Sequence, residues 1–172
     1  MRKEKFMSWD AYFLSVALLS SFRSKDPKTQ NGACVVDTDR KIVGIGYNGL
    51  PIGLDDGNPQ FWTDHDDMDA ENSKHTYVVH AERNAIYNSF GRNLKGSTLY
   101  CTLYPCPNCA QTIAQTGVKR VVYLNVKPHH DAENRAVKKM FDGAGITLEA
   151  FENLDVPDAE VIKDLLKVKV ER

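Results

Sequence analysis

Two short stretches of this chain hold residue types that could do chemistry together. "HAE" sets His80 and Glu82 two positions apart, and "PCPNC" sets Cys106 and Cys109 three apart, between and around Pro105 and Pro107. Residues three apart on a helix share a face, so both sulfurs would point the same way. Pro107 suits a first helical turn, where its missing N–H would have had no partner. The orphan N–H groups and positive end of that helix favour thiolate over thiol, and two fixed thiolates need a cation. Taken alone, Cys-x-x-Cys leaves three readings open: a structural zinc knuckle, a redox pair, or part of a reactive site.

His80 and Glu82 would diverge within a helix and converge only if His80 stands at a strand-to-helix junction. Two helix N-termini side by side, at the ends of neighbouring strands, would bring His80, Cys106 and Cys109 together. Three ligands are one short of a closed structural site, and an open fourth position is what a catalytic zinc keeps for water. Two thiolates and a neutral imidazole leave Zn²⁺ without net charge, so it acidifies water less than an all-histidine site does. A neighbouring base then helps. Glu82 is placed to accept the proton and pass it on, which suits attack of water on an amidine-like carbon with loss of ammonia. The competing reading is a zinc-stabilised binding module without catalysis. It needs a fourth protein ligand, and the sequence offers no obvious one.

The elements that must position these residues follow from the pattern. In "WDAYFLSVALLSSF", Phe13, Val16, Ala17 and Ser20 share one face of an amphipathic first helix. Ser24 to Asn31 is a polar turn; "GACVVD" and "KIVGIGYN" then read as a hairpin turned at Asp37 to Arg40. "GYNGLPIGLDDGNPQ" is a long loop, and Phe61 to His75 is a polar excursion over the surface, of a length that tends to be functional. Beyond it, "HAERNAIYNSFG" is a helix stopping at Gly91, "STLYCTL" a strand, and "CPNCAQTIAQTG" a helix closed by Gly117. "VKRVVYLNV" is a strand, a helix covers about Asp131 to Asp142, "ITLEAF" is a strand, and "PDAEVIKDLLKVKV" a last helix. Strands alternating with helices in the second half predict a largely parallel sheet with helices on both faces, one α/β domain over residues 1–172.

A formal net charge of −1 advertises no nucleic-acid or membrane surface, and no stretch approaches the roughly 20 apolar residues of a membrane span. Basic residues followed by an apolar run at the N-terminus superficially resemble a signal peptide. Polar and aromatic residues interrupt that run at helical spacing, so a cytoplasmic chain is expected. Its four cysteines then belong to a metal or catalytic site, or to the core, and not to a disulfide framework.

The paired motifs resemble the cytidine and deoxycytidylate deaminase superfamily, of which HAE followed by PCPNC is a specific signature. "RSKDPKTQNGAC", "IVGIGYNGLPIG", "TYVVHAERNAI" and "TLYPCPNCAQTIAQTGVKRVVY" are similar to the deoxycytidylate (dCMP) deaminase branch, over roughly Trp9 to Ile146. The resemblance implies a cytidine deaminase-like three-layer α/β fold, with a mixed five-stranded sheet flanked by helices. It implies one catalytic Zn²⁺ per chain on His80, Cys106 and Cys109, and Glu82 as proton shuttle. Asn48 would hold the substrate sugar, and the main-chain N–H groups of Ala81 and Cys106 would read the base or steady the attacked ring. Arg23 and Lys25 are the nearest cations for a phosphate. The implied reaction is hydrolysis of dCMP to dUMP and ammonia, supplying dUMP for thymidylate synthesis. The family's usual regulation, dCTP activating and dTTP inhibiting with Mg²⁺, and its usual homohexamer are implied too. Deamination of a free nucleoside or of adenosine in transfer RNA is the near alternative. A riboflavin-pathway deaminase would bring a reductase domain for which the chain has no room.

Two departures stand out. "VKPHHDAEN" has Pro128 where relatives often have tyrosine, leaving His129 and His130 as substitutes. Asp26 and Pro27 stand where some phage-type members carry cysteines for a second zinc. Cys34 and Cys101 read as buried inert thiols, and Asn48 as a turn residue. Arg23 and Lys25 read as solvated cations, and His65, His75, His129 and His130 as surface histidines. Trp9 and Trp62 read as packing residues, and Arg83 as facing solvent or a neighbouring subunit.

Overall fold

The computed structural model describes residues 6–64, 69–155, 161, 162 and 164. The Ala11 N–H donates to Ser8 Oγ and so starts helix α1, Trp9–Ser21. Its buried face is broader than the expected stripe. Ala11, Phe13, Leu14, Ala17, Leu18 and Ser21 are buried, while Val16 and Ser20 lie at the margin and Trp9 is half exposed, stacked on Phe13.

Strands β1, Gly32–Val36, and β2, Ile42–Tyr47, form the expected antiparallel hairpin. Strand β3, Thr98–Leu103, runs antiparallel to β1 on its other side. Beyond it β4, Arg120–Asn125, and β5, Thr147–Ala150, are added in parallel, giving the order β2-β1-β3-β4-β5. The sheet is therefore mixed. It is parallel only where strands alternate with crossover helices, because a parallel return needs such a connection and a hairpin does not.

Among the described residues, four α-helices join these strands: the single turn α2, Lys74–Tyr77; α3, Ala81–Tyr87; α4, Pro107–Gln115; and α5, Asp131–Ala144. Side chains of α3, α4 and α5 meet Ala33, Val35, Leu99, Cys101 and Val121 on one sheet face. On the other, α1 covers Cys34, Val36, Tyr100 and Val122. The expected helix over "PDAEVIKDLLKVKV" falls largely outside the described residues; Ile162, which is described, is buried in that second core.

Glycines set how closely the layers approach. A Cβ on Gly46 would lie 2.3 Å from the Ala85 nitrogen and 2.4 Å from the Ala81 oxygen; one on Gly44 would lie 2.1 Å from the Ala85 oxygen. Helix α3 thus rests backbone to backbone on β2, which no larger residue permits. Its asparagines also cover the edge strand: Asn84 Nδ2 donates to the Tyr47 carbonyl and Asn88 Nδ2 to that of Ile45, both at 2.8 Å. That second bond sits at the helix end. The chain then turns through left-handed Phe90 and Gly91, so α3 stops at Tyr87, short of Gly91.

Candidate active site

Helices α3 and α4 start side by side above the sheet. Val79 and Gly49 exchange both backbone hydrogen bonds, at 2.9 and 3.1 Å, which fixes the chain just before His80. His80 is the N-cap of α3 in extended backbone, and Cys106 holds the same position on α4, behind buried Pro105 and before Pro107. Neither side chain is used for capping. That leaves both free to turn toward each other.

They do. His80 Nδ1 lies 3.3 Å from Cys109 Sγ and 3.4 Å from Cys106 Sγ, and the three donor atoms all fall within 4.8 Å of one another. Ligands of a tetrahedral zinc, with bonds of about 2.1 Å to nitrogen and 2.3 Å to sulfur, are spaced by about 3.6 Å. The donor set and its spacing fit that ion, with Nδ1 as the imidazole donor. Among the described residues this is the one such cluster, and no fourth Cys, His, Asp or Glu joins it. Cys109 is buried while His80 and Cys106 are partly exposed, so solvent reaches one side of the cluster.

Electrostatics agree with a cation between the sulfurs. Cys109 beside it, helped by His80 against burial, brings the Cys106 pKa down to about 4. The neighbouring Cys106 sulfur, and then burial, push Cys109 up, and the hydrogen bond to Cys106 raises His80 against the effect of burial. Glu82 stands in the first turn of α3, 7% exposed, one helical position after Ala81 and two after His80. Burial raises its pKa above the ordinary carboxylate range, outweighing the opposing pull of His80. A buried carboxyl that readily holds a proton, beside three metal donors, is the equipment of a hydrolytic site.

The other expected residues divide. The N–H of Ala81, first residue of α3, has no carbonyl within the helix and faces the site end of the element. Asn48 is buried and held from three sides: its Oδ1 accepts from the Asn31 N–H at 2.8 Å, and its Nδ2 donates to Asp26 Oδ2 at 3.2 Å and to the Thr29 carbonyl at 2.9 Å. Arg23 is exposed, and Lys25 pairs with Asp56 at 2.6 Å.

Sequence reasoning missed Lys74. It was part of an expected surface excursion, yet it is 4% exposed and its Nζ donates to Asp26 Oδ1 at 2.8 Å. A lysine between Ser73 and His75 carries no pattern that marks it as buried. The one available hint was an aspartate in the otherwise basic "RSKDPK". Asp26 needs that partner: burial alone would raise its pKa, but Lys74 and the N–H groups of Thr29 and Lys28 hold it below the usual value.

Cys34 and Cys101 are buried, with burial lifting the Cys34 pKa to about 12 and that of Cys101 well up, so both thiols are inert. Among the histidines, His75 bonds Asp64 at 3.0 Å, His130 bonds Glu133 at 2.9 Å, and His129 is exposed in left-handed backbone. His65 lies outside the described residues. Trp62 Nε1 donates to the Asp56 carbonyl. Arg83 is half-buried and donates to Tyr87 Oη at 2.9 Å, turning along its own helix instead of straight outward.

Comparisons with known proteins bear on this site. The family model described as the cytidine and deoxycytidylate deaminase zinc-binding region matches residues 7–125. A deoxycytidylate deaminase of Pongo abelii is 44% identical over 151 residues, 87% of this chain and 83% of that one. A probable deoxycytidylate deaminase of Drosophila melanogaster is 45% identical over 150 residues, covering 84% and 73%. Among solved structures, the dCMP deaminase of cyanophage S-TIM5 in complex with dCMP and dUMP aligns with a TM-score of 0.64 and 30% identity, over 81% of this chain and 94% of that one. The chain belongs to the cytidine and deoxycytidylate deaminase family. It is an enzyme of the hydrolase class with the mixed five-stranded sheet of that fold.

Proposed function

We propose that this chain is a zinc-dependent aminohydrolase converting dCMP and water to dUMP and ammonia. The observation that carries this reading is the meeting of His80 Nδ1 with the sulfurs of Cys106 and Cys109 beside buried Glu82. Those three side chains would hold one zinc ion, which when bound supplies a Lewis acid that lowers the pKa of a water molecule. Glu82 takes the proton the water gives up and delivers it to ring N3 as the oxygen adds at C4. It then carries the second proton to the departing amino group, and the C4–N bond breaks. Burial suits it to hold a proton between those transfers.

The N–H groups of Ala81 and Cys106 would donate to the base, Asn48 would meet the sugar, and Arg23 and Lys25 would serve the phosphate. Relatives described as deoxycytidylate deaminases, and a phage neighbour that holds dCMP and dUMP, support a nucleotide substrate. Supply of dUMP for thymidylate synthesis, activation by dCTP, inhibition by dTTP with Mg²⁺, and a homohexamer belong to the same proposal. So does one domain over residues 1–172 working in the cytoplasm, where the free thiols of Cys106 and Cys109 suit a reducing medium, with neither nucleic acid nor membrane as partner. Among the described residues no helix is long and apolar enough to cross a membrane.

The test is ammonia release from cytidine, deoxycytidine, dCMP and dCTP side by side, with dTTP added to a second set. The proposal expects dCMP to lead and dTTP to slow it. Turnover confined to the nucleosides would overturn the substrate assignment.

A further inference from the structure

The carboxylate of Asp26 gathers four donors from three stretches of chain. Its Oδ1 accepts from the Lys28 N–H at 2.8 Å, the Thr29 N–H at 3.0 Å and Lys74 Nζ at 2.8 Å. Its Oδ2 accepts from Asn48 Nδ2. Asp26 and Lys74 side chains are each 5% exposed, so this is a buried ion pair between groups 48 positions apart in sequence. A buried lysine and a buried aspartate persist only together, because either one alone would be an unpaired charge out of water.

The consequence falls on Asn48. Its amide meets three groups whose roles are fixed: a carboxylate oxygen and the Thr29 carbonyl can only accept, and the Asn31 N–H can only donate. The amide therefore cannot be turned over. Both of its N–H bonds are engaged, and the hydrogen-bonding capacity left is one lone pair on Oδ1. The same residue is tied by its backbone to the catalytic helix. Ser24 Oγ donates to the Asn48 carbonyl at 2.8 Å, and the next residue, Gly49, pairs with Val79 immediately before His80.

We propose that Asp26 and Lys74 are positioning residues for sugar recognition: they lock Asn48 as a pure acceptor, so that the site selects a sugar by a hydroxyl that donates. This rests on the reading above in which Asn48 meets the sugar of dCMP. The deoxyribose of that nucleotide carries one free hydroxyl, at the 3′ carbon, and it is the group selected. A pair that merely fastened the 24–31 loop would affect every substrate alike.

The experiment compares dCMP with 2′,3′-dideoxycytidine 5′-monophosphate on the zinc-loaded, full-length enzyme. The wild type is expected to favour dCMP by about tenfold or more in kcat/KM, mostly through KM, since a buried acceptor left without its donor is costly. In Asp26→Asn the amide nitrogen that replaces Oδ2 faces the Asn48 Nδ2 donor, so that hydrogen bond is lost and the Asn48 amide is held by Asn31 and Thr29 alone; in Lys74→Met the carboxylate loses its charge partner. Both variants, checked for zinc content and a cooperative melt, are expected to bring the preference to within about twofold. Variants that lose activity on both nucleotides equally, at an unchanged ratio, would overturn the proposal. A wild type that handles the two equally would overturn it without any variant. Absence of ammonia from both monophosphates would instead bring down the deaminase reading, and this inference with it.

Discussion

At the scale of single residues, the site is an economy of side chains left free by the backbone. His80 and Cys106 occupy N-cap positions that in most helices would be filled by a capping hydroxyl or amide, and neither caps. His80 Nδ1 instead lies within 3.4 Å of the Cys106 sulfur and 3.3 Å of the Cys109 sulfur, the spacing of donors around one metal ion. Replacing Cys109 by alanine is therefore expected to reduce bound zinc from about one ion per chain to a small fraction of that, measured by elemental analysis of dialysed protein. Chelation of the wild type should abolish ammonia release, and added Zn²⁺ should restore it. Full activity in metal-free protein would contradict the role given to this cluster. That His80, Cys106 and Cys109 would meet was legible in the sequence because HAE and PCPNC are each short motifs of metal-binding residue types at the starts of helices. Lys74 was not, because its partner lies 48 positions away and only the folded chain brings them together.

At the scale of elements, what matters is the placement of α3 and α4 at neighbouring strand ends. Helix α3 lies on β2 only because Gly44 and Gly46 present no side chain to it. Gly46→Ala would drive a Cβ into the backbone of Ala81 and Ala85, the residues that flank Glu82 and follow His80. A loss of about 2–3 kcal/mol or more in urea unfolding is expected, since backbone cannot move aside as a flexible side chain can. Zinc affinity and kcat should fall with it, because the helix that carries His80 and Glu82 must shift. An alanine variant with unchanged stability and rate would show that this close approach is not required. Most elements could be read from periodicity and turn residues. The antiparallel pairing of β3 with β1 and the early end of α3 could not, since they depend on which strand pairs with which and on Asn88 reaching the Ile45 carbonyl. The 61–75 excursion was misread as wholly superficial, although Ser73 and Lys74 are buried, because nothing in its polar composition distinguishes a buried ion pair from a solvated one.

At the scale of the whole molecule, ion pairs tie the outer layers to the sheet. Arg120, at the start of β4, donates to both oxygens of Asp10 at the start of α1 and, through Nε, to Glu149 of β5. Tyr100 Oη also donates to Asp10, at 2.7 Å. Burial opposes ionisation of Asp10, yet these donors outweigh it and lower its pKa; Asp26 is lowered in the same manner by Lys74 and its two N–H donors. A carboxyl whose pKa is lower folded than unfolded contributes stability above its unfolded pKa, about 4. That contribution is lost as pH falls through the lower folded value. The melting temperature is thus expected to hold near neutrality and drop steeply below about pH 4. Asp10→Asn should lower it at pH 7 and flatten that acid limb. An acid limb unchanged in Asp10→Asn would show that this carboxylate does not hold α1 to the sheet.

The central claim is that one metal centre and one buried acid act together, and a single variant separates them. Glu82→Gln keeps the shape of the side chain and removes its ability to carry a proton. Measured with dCMP alongside the wild type, it is expected to keep one zinc per chain and to lose about 10²–10⁴-fold in kcat. A Glu82→Gln enzyme that retains its zinc and releases ammonia at the wild-type rate would contradict the account.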